Sequence, residues 1–284
     1  MKKIYVILSV AVLTAGLVAC SGEPETAETY LDEVVVSQPI VATSTQATAG
    51  APSYITIQGE QFSTDLTVLS LNGALTNEDI VPLRYMTELT ALWAGFMEPL
   101  DQITDLSPLA GLTNLREIYF SGDYIHDLTP FAGLVNLTNL QIFHSQIADL
   151  TPLAGLVNLE ILQLNASQIT DITPLAGLTN LVALDLSFNQ ISDVTPLAGL
   201  TNLWTLNLRH NQIVDVAPLA GLASAGRSNL TQLLLGDNQI SDITPLSGLV
   251  SLESLWLDNN PIDDLSPVGH VENIVFEMQQ PQSW

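Results

Sequence analysis

Cysteine and positive charge are both scarce in this sequence. Cys20 is the single cysteine among 284 residues, so no disulfide bond can form within the chain. The 6 lysines and arginines are far outnumbered by 30 aspartates and glutamates, and no lysine follows Lys3. Such an acidic surface repels nucleic-acid phosphates and anionic lipid headgroups, which excludes nucleic acid as a partner. It suits a basic partner or a cation-rich medium, or it keeps an exported protein soluble.

Signatures of catalysis are also missing from the sequence. The chain has no Gly-x-Ser-x-Gly nucleophile elbow, no His-Glu-x-x-His metal motif and no glycine-rich phosphate loop. The sequence therefore predicts a protein that is not an enzyme and that needs no cofactor.

The first residues have the pattern of an export signal. Lys2 and Lys3 precede an apolar stretch from Ile4 to Val18, which is too short for a membrane-spanning helix. The segment Leu17-Val18-Ala19-Cys20 resembles a bacterial lipobox. That resemblance implies a signal peptide over residues 1–19 and a lipid on Cys20, which anchors the exported protein to the envelope. Ser21 then favours the outer membrane or cell surface if the cell is Gram-negative. The alternative is an ordinary signal peptide followed by a chance cysteine.

An internal repeat dominates the rest of the chain. The phrase Asp-(Leu/Ile/Val)-(Thr/Ser)-Pro-Leu-Ala-Gly-Leu recurs with small changes, and its prolines are spaced by 22 residues with one interval of 27. These prolines are Pro108, Pro130, Pro152, Pro174, Pro196, Pro218, Pro245 and Pro267. The longer interval holds five extra residues around Ala223 to Ser228. Residues 20–52 before the repeats are rich in Ser, Thr, Ala and Glu, which predicts a flexible tether.

Each repeat unit has the pattern of a strand followed by a short helical segment. In residues 169–190, the alternation Leu184-Asp185-Leu186 predicts a strand, and Thr173-Pro174 predicts a helical or 3-10 segment with Thr173 as its N-cap. The unit's apolar positions are Ile169, Ile172, Leu175, Leu178, Leu181, Leu184 and Leu186. Burying such a set gains roughly 10–20 kcal/mol. Ordering about 22 residues costs a comparable or larger sum, so only stacked units should fold.

The repeat resembles the 22-residue leucine-rich repeats of bacterial internalins, a class also found in a regulatory subunit of eukaryotic protein phosphatase 1. The shared signature is Leu-x-x-Leu-x-Leu-x-x-Asn-x-Ile, as in Leu181, Leu184, Leu186, Asn189 and Ile191. The resemblance implies an α/β solenoid with a curved parallel sheet on its concave face and short helical or 3-10 segments on its convex side. It also implies a buried asparagine ladder, formed by Asn189, Asn211, Asn238 and Asn260. Asp123, Ser145 and Ser167 replace asparagine in earlier repeats, so the ladder should be weaker there.

The repeats should have caps at both ends. Residues 53–102 are interpreted as an N-terminal cap with the first degenerate repeats, including Tyr54–Ile57 and the turn at Asn77. Regular repeats follow over residues 103–262, and residues 263–284 form a C-terminal cap with a last strand at Ile274 to Phe276.

Ligand-binding residues are expected where the strands face outward. Leucines of the signature point into the core, while the positions between and beside them form outward columns with no repeating residue type. Large aromatic side chains on a solvated face indicate a partner, although scattered exposed aromatics can also be without function. The predicted binding residues are Trp93, Tyr119, Gln141, Phe143, His144, Asp185, Phe188, Arg209, His210 and Trp256. The strongest site is expected at Trp93, Tyr119, Gln141, Phe143 and His144.

The sequence has two further patterns that could bear on function. An aspartate recurs in every unit, either as a turn residue that binds backbone N–H groups or as a ridge that binds cations such as Ca²⁺ as weak stabilisers. The aspartates are Asp105, Asp127, Asp149, Asp171, Asp193, Asp215, Asp242 and Asp264. His144 and His210 lie three repeats apart, about 15 Å by strand spacing, too far to share a metal. Asp185 could approach His210, but no nucleophile accompanies them.

The sequence therefore predicts a lipid-anchored extracytoplasmic protein that binds a protein or glycan ligand through its concave face. The alternative is a structural envelope protein that contacts wall polymer or its neighbours non-specifically.

Overall fold

The computed structural model describes residues 51–94, 103–121, 124–223 and 229–276. The predicted signal peptide, Cys20 and most of the predicted tether lie outside these ranges, as do the extra residues 224–228. Within the described ranges, no helix has the length and hydropathy needed to cross a bilayer.

In the described part of the chain, ten parallel strands form one sheet in which strand order follows chain order. They are β3 (Val68–Leu71), β4 (Ala91–Ala94), β5 (Glu117–Ser121), β6 (Asn139–Phe143), β7 (Ile161–Gln163), β8 (Ala183–Asp185), β9 (Thr205–Asn207), β10 (Gln232–Leu234), β11 (Ser254–Trp256) and β12 (Asn273–Val275). The register places equivalent residues side by side, for example Leu184 beside Leu206. The predicted α/β leucine-rich-repeat solenoid is confirmed.

The connections between strands contain short 3-10 segments that pack on one another in chain order. These segments are Val81–Tyr85, Ser107–Leu109, Thr129–Phe131, Thr151–Leu153, Thr173–Leu175, Thr195–Leu197, Ala217–Leu222, Thr244–Gly248 and Ser266–Val268. Leucines of the strands and of these segments are buried in the same cluster, so the sheet and the segments form the two walls of the core. All seven apolar positions predicted for residues 169–190 are buried.

The prediction that threonine caps each 3-10 segment is wrong. Thr173 is the first residue of its segment, and the N-cap position is held by Ile172, whose side chain cannot accept a hydrogen bond. Asp171 takes over the capping role, because its Oδ1 accepts a hydrogen bond of 2.8 Å from the Thr173 N–H. The repeating aspartate therefore starts the segment two residues ahead of the threonine.

The predicted asparagine ladder is present in the later repeats. Asn211 donates from Nδ2 to the carbonyls of Leu186 and Leu208 at 3.0 and 3.1 Å, and its Oδ1 accepts from the Ile191 N–H at 2.9 Å. Asn189, Asn238 and Asn260 repeat this pattern. In an earlier repeat, the Ser145 and Ser167 hydroxyls bind each other at 2.6 Å instead. The serine side chains thus link two neighbouring repeats to each other, but they make fewer hydrogen bonds to the backbone than the asparagines do.

A second column of asparagines links consecutive repeats, and the sequence analysis missed it. Asn180 Nδ2, for example, donates to the Val157 carbonyl one repeat earlier at 2.9 Å. The equivalent bonds come from Asn114, Asn136, Asn158, Asn202 and Asn229. The sequence does contain a sign of this column, because an asparagine directly precedes the first signature leucine in successive repeats.

Additional elements lie at the N-terminal end of the sheet, and β12 is its last strand at the other end. At the N-terminal end, β1 (Tyr54–Ile57) and β2 (Glu60–Ser63) form an antiparallel hairpin that buries Ile55 and Ile57. Its two-residue turn has positive φ at Gln58 and Gly59, as a type I′ turn requires. The short helix α1 (Asn77–Ile80) follows β3, and the Asn77 Oδ1 accepts from the N–H groups of Thr104 and Asp105.

Candidate binding surface

The outward face of the sheet carries the columns that the sequence analysis derived. In the middle column, each residue is the register partner of the next, from Ser70 at one end to Trp256 near the other. The column consists of Ser70, Trp93, Tyr119, Gln141, Gln163, Asp185, Asn207, Leu234 and Trp256. The outward position two residues after the middle column forms another column, which we call the third column. It includes Ser121, Phe143, Asn165, Ser187, Arg209, Gly236 and Asp258.

An aromatic cluster occupies the N-terminal part of this face. Trp93 and Tyr119 are register partners on β4 and β5, and both side chains are half-buried. The Tyr119 and Phe143 rings contact each other at a tilt, with centroids 5.3 Å apart. Burial raises the pKa of the Tyr119 hydroxyl, so it stays protonated and can donate a hydrogen bond. The structure thus brings together three of the five residues of the strongest predicted site.

The other two residues of that site differ from the aromatic cluster in exposure. Gln141 is the register partner of Tyr119 but is buried rather than open to solvent. His144 is exposed and lies just beyond the end of β6.

A fourth column, directly after the third, has a backbone conformation that the sequence did not reveal. His144, Ala166, Phe188, His210, Asp237 and Asn259 all have φ between 51° and 57°. Bulky residues rarely adopt this left-handed conformation, and it persists only where surrounding contacts impose it. Here the backbone continues the parallel ladder, since the Phe188 N–H donates to the Arg209 carbonyl at 2.9 Å. Successive side chains of this column contact each other from Phe188 to Asn259.

A polar cluster occupies the C-terminal part of the face. Arg209 donates from its guanidinium to Asp258 Oδ2 at 2.8 Å and lies 3.6 Å from Asp237 Oδ2. His210 Nε2 lies 3.2 Å from the same Asp237 oxygen. The His210 ring stacks on Phe188, with centroids 4.1 Å apart. Phe188, Arg209 and His210, all predicted as binding residues, therefore form one connected cluster with two aspartates that were not predicted.

Gly236 explains why Arg209 can reach Asp258 across an intervening strand. The third column runs Arg209, Gly236, Asp258, so the pair spans two repeats. A Cβ atom on Gly236 would lie 2.5 Å from Asp258 Oδ1, well inside van der Waals contact. The absence of a side chain at Gly236 leaves the space that the carboxylate occupies.

Asp185, in the middle column, forms its hydrogen bonds outside the polar cluster. Its Oδ1 accepts from the Ser187 N–H and hydroxyl, and its Oδ2 accepts from Asn207 Nδ2 at 3.0 Å. Burial raises the pKa of Asp185 despite these hydrogen bonds. Asp185 and His210, which the sequence placed near each other, have different partners. Trp256 is half-buried beside Leu234 in the middle column.

The repeating aspartates adopt the turn geometry that was one of their two interpretations. In all eight, Oδ1 accepts a hydrogen bond of 2.8 to 2.9 Å from the N–H two residues later. At Asp149, Asp171, Asp193 and Asp242, which are four of the five Asp-x-Thr turns, bonds from the threonine hydroxyl and N–H lower the pKa of the aspartate. Within the described ranges, no three acidic, histidine or cysteine side chains are grouped to hold a metal ion.

Comparison with known proteins agrees with the repeat architecture. The family model of leucine-rich repeats in two copies matches residues 135–177, 179–221 and 228–270. Crystal structures of internalin C2 and internalin F from Listeria monocytogenes are 34% and 32% identical to this chain, each with a TM-score of 0.56. The alignments cover 77% and 76% of this chain, and 86% and 82% of the internalin chains. No curated protein sequence matches the chain.

A third solved structure shares the fold at lower identity. It is the leucine-rich-repeat ectodomain of a plant membrane receptor kinase from Arabidopsis thaliana, solved in complex with Casparian strip integrity factor 2. The identity is 18% and the TM-score 0.59, over 75% of this chain and 30% of that one.

Proposed function

Since this chain belongs to the internalin family of leucine-rich-repeat proteins, we propose that it is an exported binding protein that recognises a protein ligand through the outward face of its sheet. The observation that carries the proposal is the contrast between the two sides of each strand. Core positions are leucine or a close equivalent in nearly every repeat, whereas outward positions hold aromatic, amide and charged side chains without repetition.

The aromatic cluster of Trp93, Tyr119 and Phe143 is the proposed anchor for the ligand. Aromatic side chains dominate the binding energy of protein interfaces, often with 2 kcal/mol or more each. These three side chains keep part of their surface exposed while neighbouring strands hold them in place. A partner therefore meets a preformed apolar platform on the same face of the sheet as the polar cluster of Arg209 and His210.

The test is capture of a partner by the full chain from the native envelope and medium, with identification by mass spectrometry. We expect Trp93→Ala combined with Tyr119→Ala to lose the captured protein while the melting temperature stays close to that of the parent. The control combines Tyr54→Ala with Tyr124→Ala, because these exposed tyrosines lie outside the outward columns. A structural envelope protein would be insensitive to both double variants. If the ligand is a glycan, no protein should be captured, and the chain should bind polysaccharide in a way that Trp93→Ala combined with Tyr119→Ala abolishes.

If the aromatic side chains only pack the sheet, the result differs in a measurable way. The face variant should then lose a few kcal/mol of stability, as large-to-small substitutions in packed sites do. Retained capture at unchanged affinity would remove the aromatic cluster from the binding site.

We further propose that a lipid on Cys20 anchors the protein to the envelope. The support is the lipobox-like segment that ends at Cys20, together with the lack of any other cysteine. A Cys20→Ser variant should fail to incorporate labelled fatty acid and should leave the membrane fraction or remain unprocessed. Unchanged processing and membrane partition of this variant would contradict the proposal.

A further inference from the structure

Three buried amides lie between the aromatic cluster and the polar cluster, and we name Gln141, Gln163 and Asn165 the amide row. Gln141 and Gln163 are register partners in the middle column, and Asn165 is the next outward residue after Gln163. Their exposed fractions are 5%, 3% and 4%. Among the described residues, no donor reaches Gln141 Oε1, Gln163 Oε1 or Asn165 Oδ1. The row therefore holds three buried carbonyl oxygens that have no hydrogen-bond donor among the described residues.

Packing does not require amides at these positions. Leu234 occupies the same middle column as Gln141 and Gln163 and is equally buried. A buried acceptor without a donor is unfavourable, because water no longer solvates it. An apolar side chain would fill the same space without that cost. The oxygens thus point to a donor that arrives from outside the chain.

The neighbours of the row define the chemistry of that donor. On one side, Gln141 is the register partner of Tyr119, whose ring contacts Phe143. On the other side, Gln163 is the register partner of Asp185, whose carboxylate lies among Ser187 and Asn207. Carbonyl oxygens, ring faces and a carboxylate together suit a flat cation with several N–H donors. A guanidinium has five such donors and stacks on aromatic rings, whereas a lysine ammonium is a compact point charge.

Among the residues that the structure describes, no basic side chain bonds to this row. In the described part of the outward columns, Arg209 is the basic side chain, and its guanidinium is bound to Asp258. The sequence has an excess of acidic residues, with a net charge of −24, which attracts basic partners from a distance. We propose that the amide row, with Tyr119, Phe143 and Asp185 at its flanks, binds an arginine side chain of the protein partner. This inference rests on the proposed function and specifies the partner's anchoring residue.

The experiment measures binding of N-acetyl-arginine methylamide to the full chain by ligand-observed NMR titration at constant ionic strength. The comparison probes are the matching lysine and citrulline derivatives and a set of methyl glycosides. We expect the arginine probe to bind at least tenfold more tightly than the lysine and citrulline probes. Gln141→Leu combined with Gln163→Leu should weaken its binding at least tenfold without lowering the melting temperature, because orphan acceptors are removed and leucine fits this column. Gln190→Leu is the matched control, since Gln190 is exposed outside the outward columns.

Either of two results would overturn the inference. The first is arginine binding no tighter than lysine or citrulline binding, and the second is arginine binding that the double variant leaves unchanged. A glycoside that binds in place of the arginine probe and depends on the same two glutamines would make a sugar the occupant. The proposed function fails separately, when no protein is captured through the outward face. Capture that depends on Trp93 and Tyr119 without arginine binding would reject this inference alone.

Discussion

Single asparagines hold the later repeats together because each satisfies several backbone groups that the chain cannot pair otherwise. The amide of Asn211 donates to the carbonyls of Leu186, Leu208 and Arg209 and accepts from one N–H, and most of these bonds are buried. By contrast, Asn202 in the second column makes one bond, to the Thr179 carbonyl, at an exposed position. The two columns therefore differ in how much backbone loses its partner when the side chain is removed.

We predict that Asn211→Ala lowers the free energy of unfolding far more than Asn202→Ala. Buried groups left without a partner cost about 1–3 kcal/mol each, so Asn211→Ala should cost at least ~3 kcal/mol. The exposed Asn202→Ala change removes one ordinary hydrogen bond, worth about 1 kcal/mol. Urea denaturation of both variants measures the difference. An equal decrease in the free energy of unfolding for the two variants would mean that the buried asparagines stabilise the fold no more than the exposed ones.

Gly236 provides a second residue-scale prediction, because its missing side chain makes room for Asp258. Gly236→Ala should displace the Asp258 carboxylate and weaken its ion pair with Arg209, while the backbone at Gly236 has no positive φ that would add strain. A double-mutant cycle of Gly236→Ala with Asp258→Ala checks this in urea denaturation. The cost of Gly236→Ala should largely disappear in the Asp258→Ala background. If Gly236→Ala lowers the free energy of unfolding equally in the Asp258→Ala background, Gly236 is required by the backbone of its own strand and not by the ion pair.

The sequence predicts core residues well and cross-repeat side-chain contacts poorly. The leucines of the signature are all at positions that packing alone dictates, so their period reveals them. The bond from Arg209 to Asp258 joins residues 49 positions apart and depends on Gly236 between them. The positive φ at Phe188 and His210 likewise arises from stacked backbone rather than from residue type. The sequence could therefore name Arg209 and His210 as candidates, but it gave no indication of Asp237 and Asp258.

At the scale of the elements, each repeat is built from a strand and an aspartate-initiated 3-10 segment. The strands and segments were predictable, because both follow from the repeated alternation and from the Thr-Pro pair. The capping residue was not, since Asp and Thr both accept hydrogen bonds and their competition is decided by turn geometry. The Asp171 carboxylate is the capping group because it accepts a hydrogen bond from the Thr173 N–H, two residues later in the chain. The turn interpretation of the repeating aspartate is confirmed by these hydrogen bonds, and cation binding by the same residues stays a prediction.

These turns should make the protein sensitive to acid. The lowered pKa of Asp149, Asp171, Asp193 and Asp242 means that the folded state binds their protons less readily than the unfolded state, whose value is near 3.8. Their stabilisation is therefore fully present above pH 3.8 and is lost as the pH falls through the lowered values. The raised pKa of Asp185 acts in the opposite direction, since its protonation favours the folded state. We expect the four turns to outweigh this one group, so the melting temperature should fall steeply below pH 4.

NMR titration of the aspartate carboxyls tests this prediction site by site. In the parent protein, the four turn aspartates should titrate below the ordinary value for the residue. Thr151→Ala, Thr173→Ala and Thr195→Ala remove the hydroxyl bonds and should raise the pKa of Asp149, Asp171 and Asp193, while Asp242 remains as the unchanged control. Ordinary titration of all four in the parent would contradict the proposed origin of acid sensitivity.

At the scale of the whole molecule, stacking the repeats places like charges in line. The eight turn aspartates follow each other at the repeat spacing, about 5 Å by the separation of parallel strands. The screening length at physiological ionic strength is roughly 8 Å, so neighbouring carboxylates repel each other. This repulsion works against the turn hydrogen bonds, and Asp127 and Asp171 both act to raise the pKa of Asp149 for this reason. The architecture that aligns the core leucines thus also concentrates negative charge along one ridge.

We predict that added salt raises the melting temperature because it screens the aspartate ridge. The control variant Asp149→Asn keeps an oxygen that accepts the Thr151 N–H bond but removes a central charge, so its melting temperature should depend less on salt. Sodium chloride and calcium chloride at matched ionic strength separate screening from binding. Equal rises would mean screening alone, whereas a larger rise with Ca²⁺ that Asp149→Asn diminishes would mean that the ridge binds the ion. A melting temperature that is constant from low to high ionic strength would show that the turn hydrogen bonds and solvent already neutralise the repulsion.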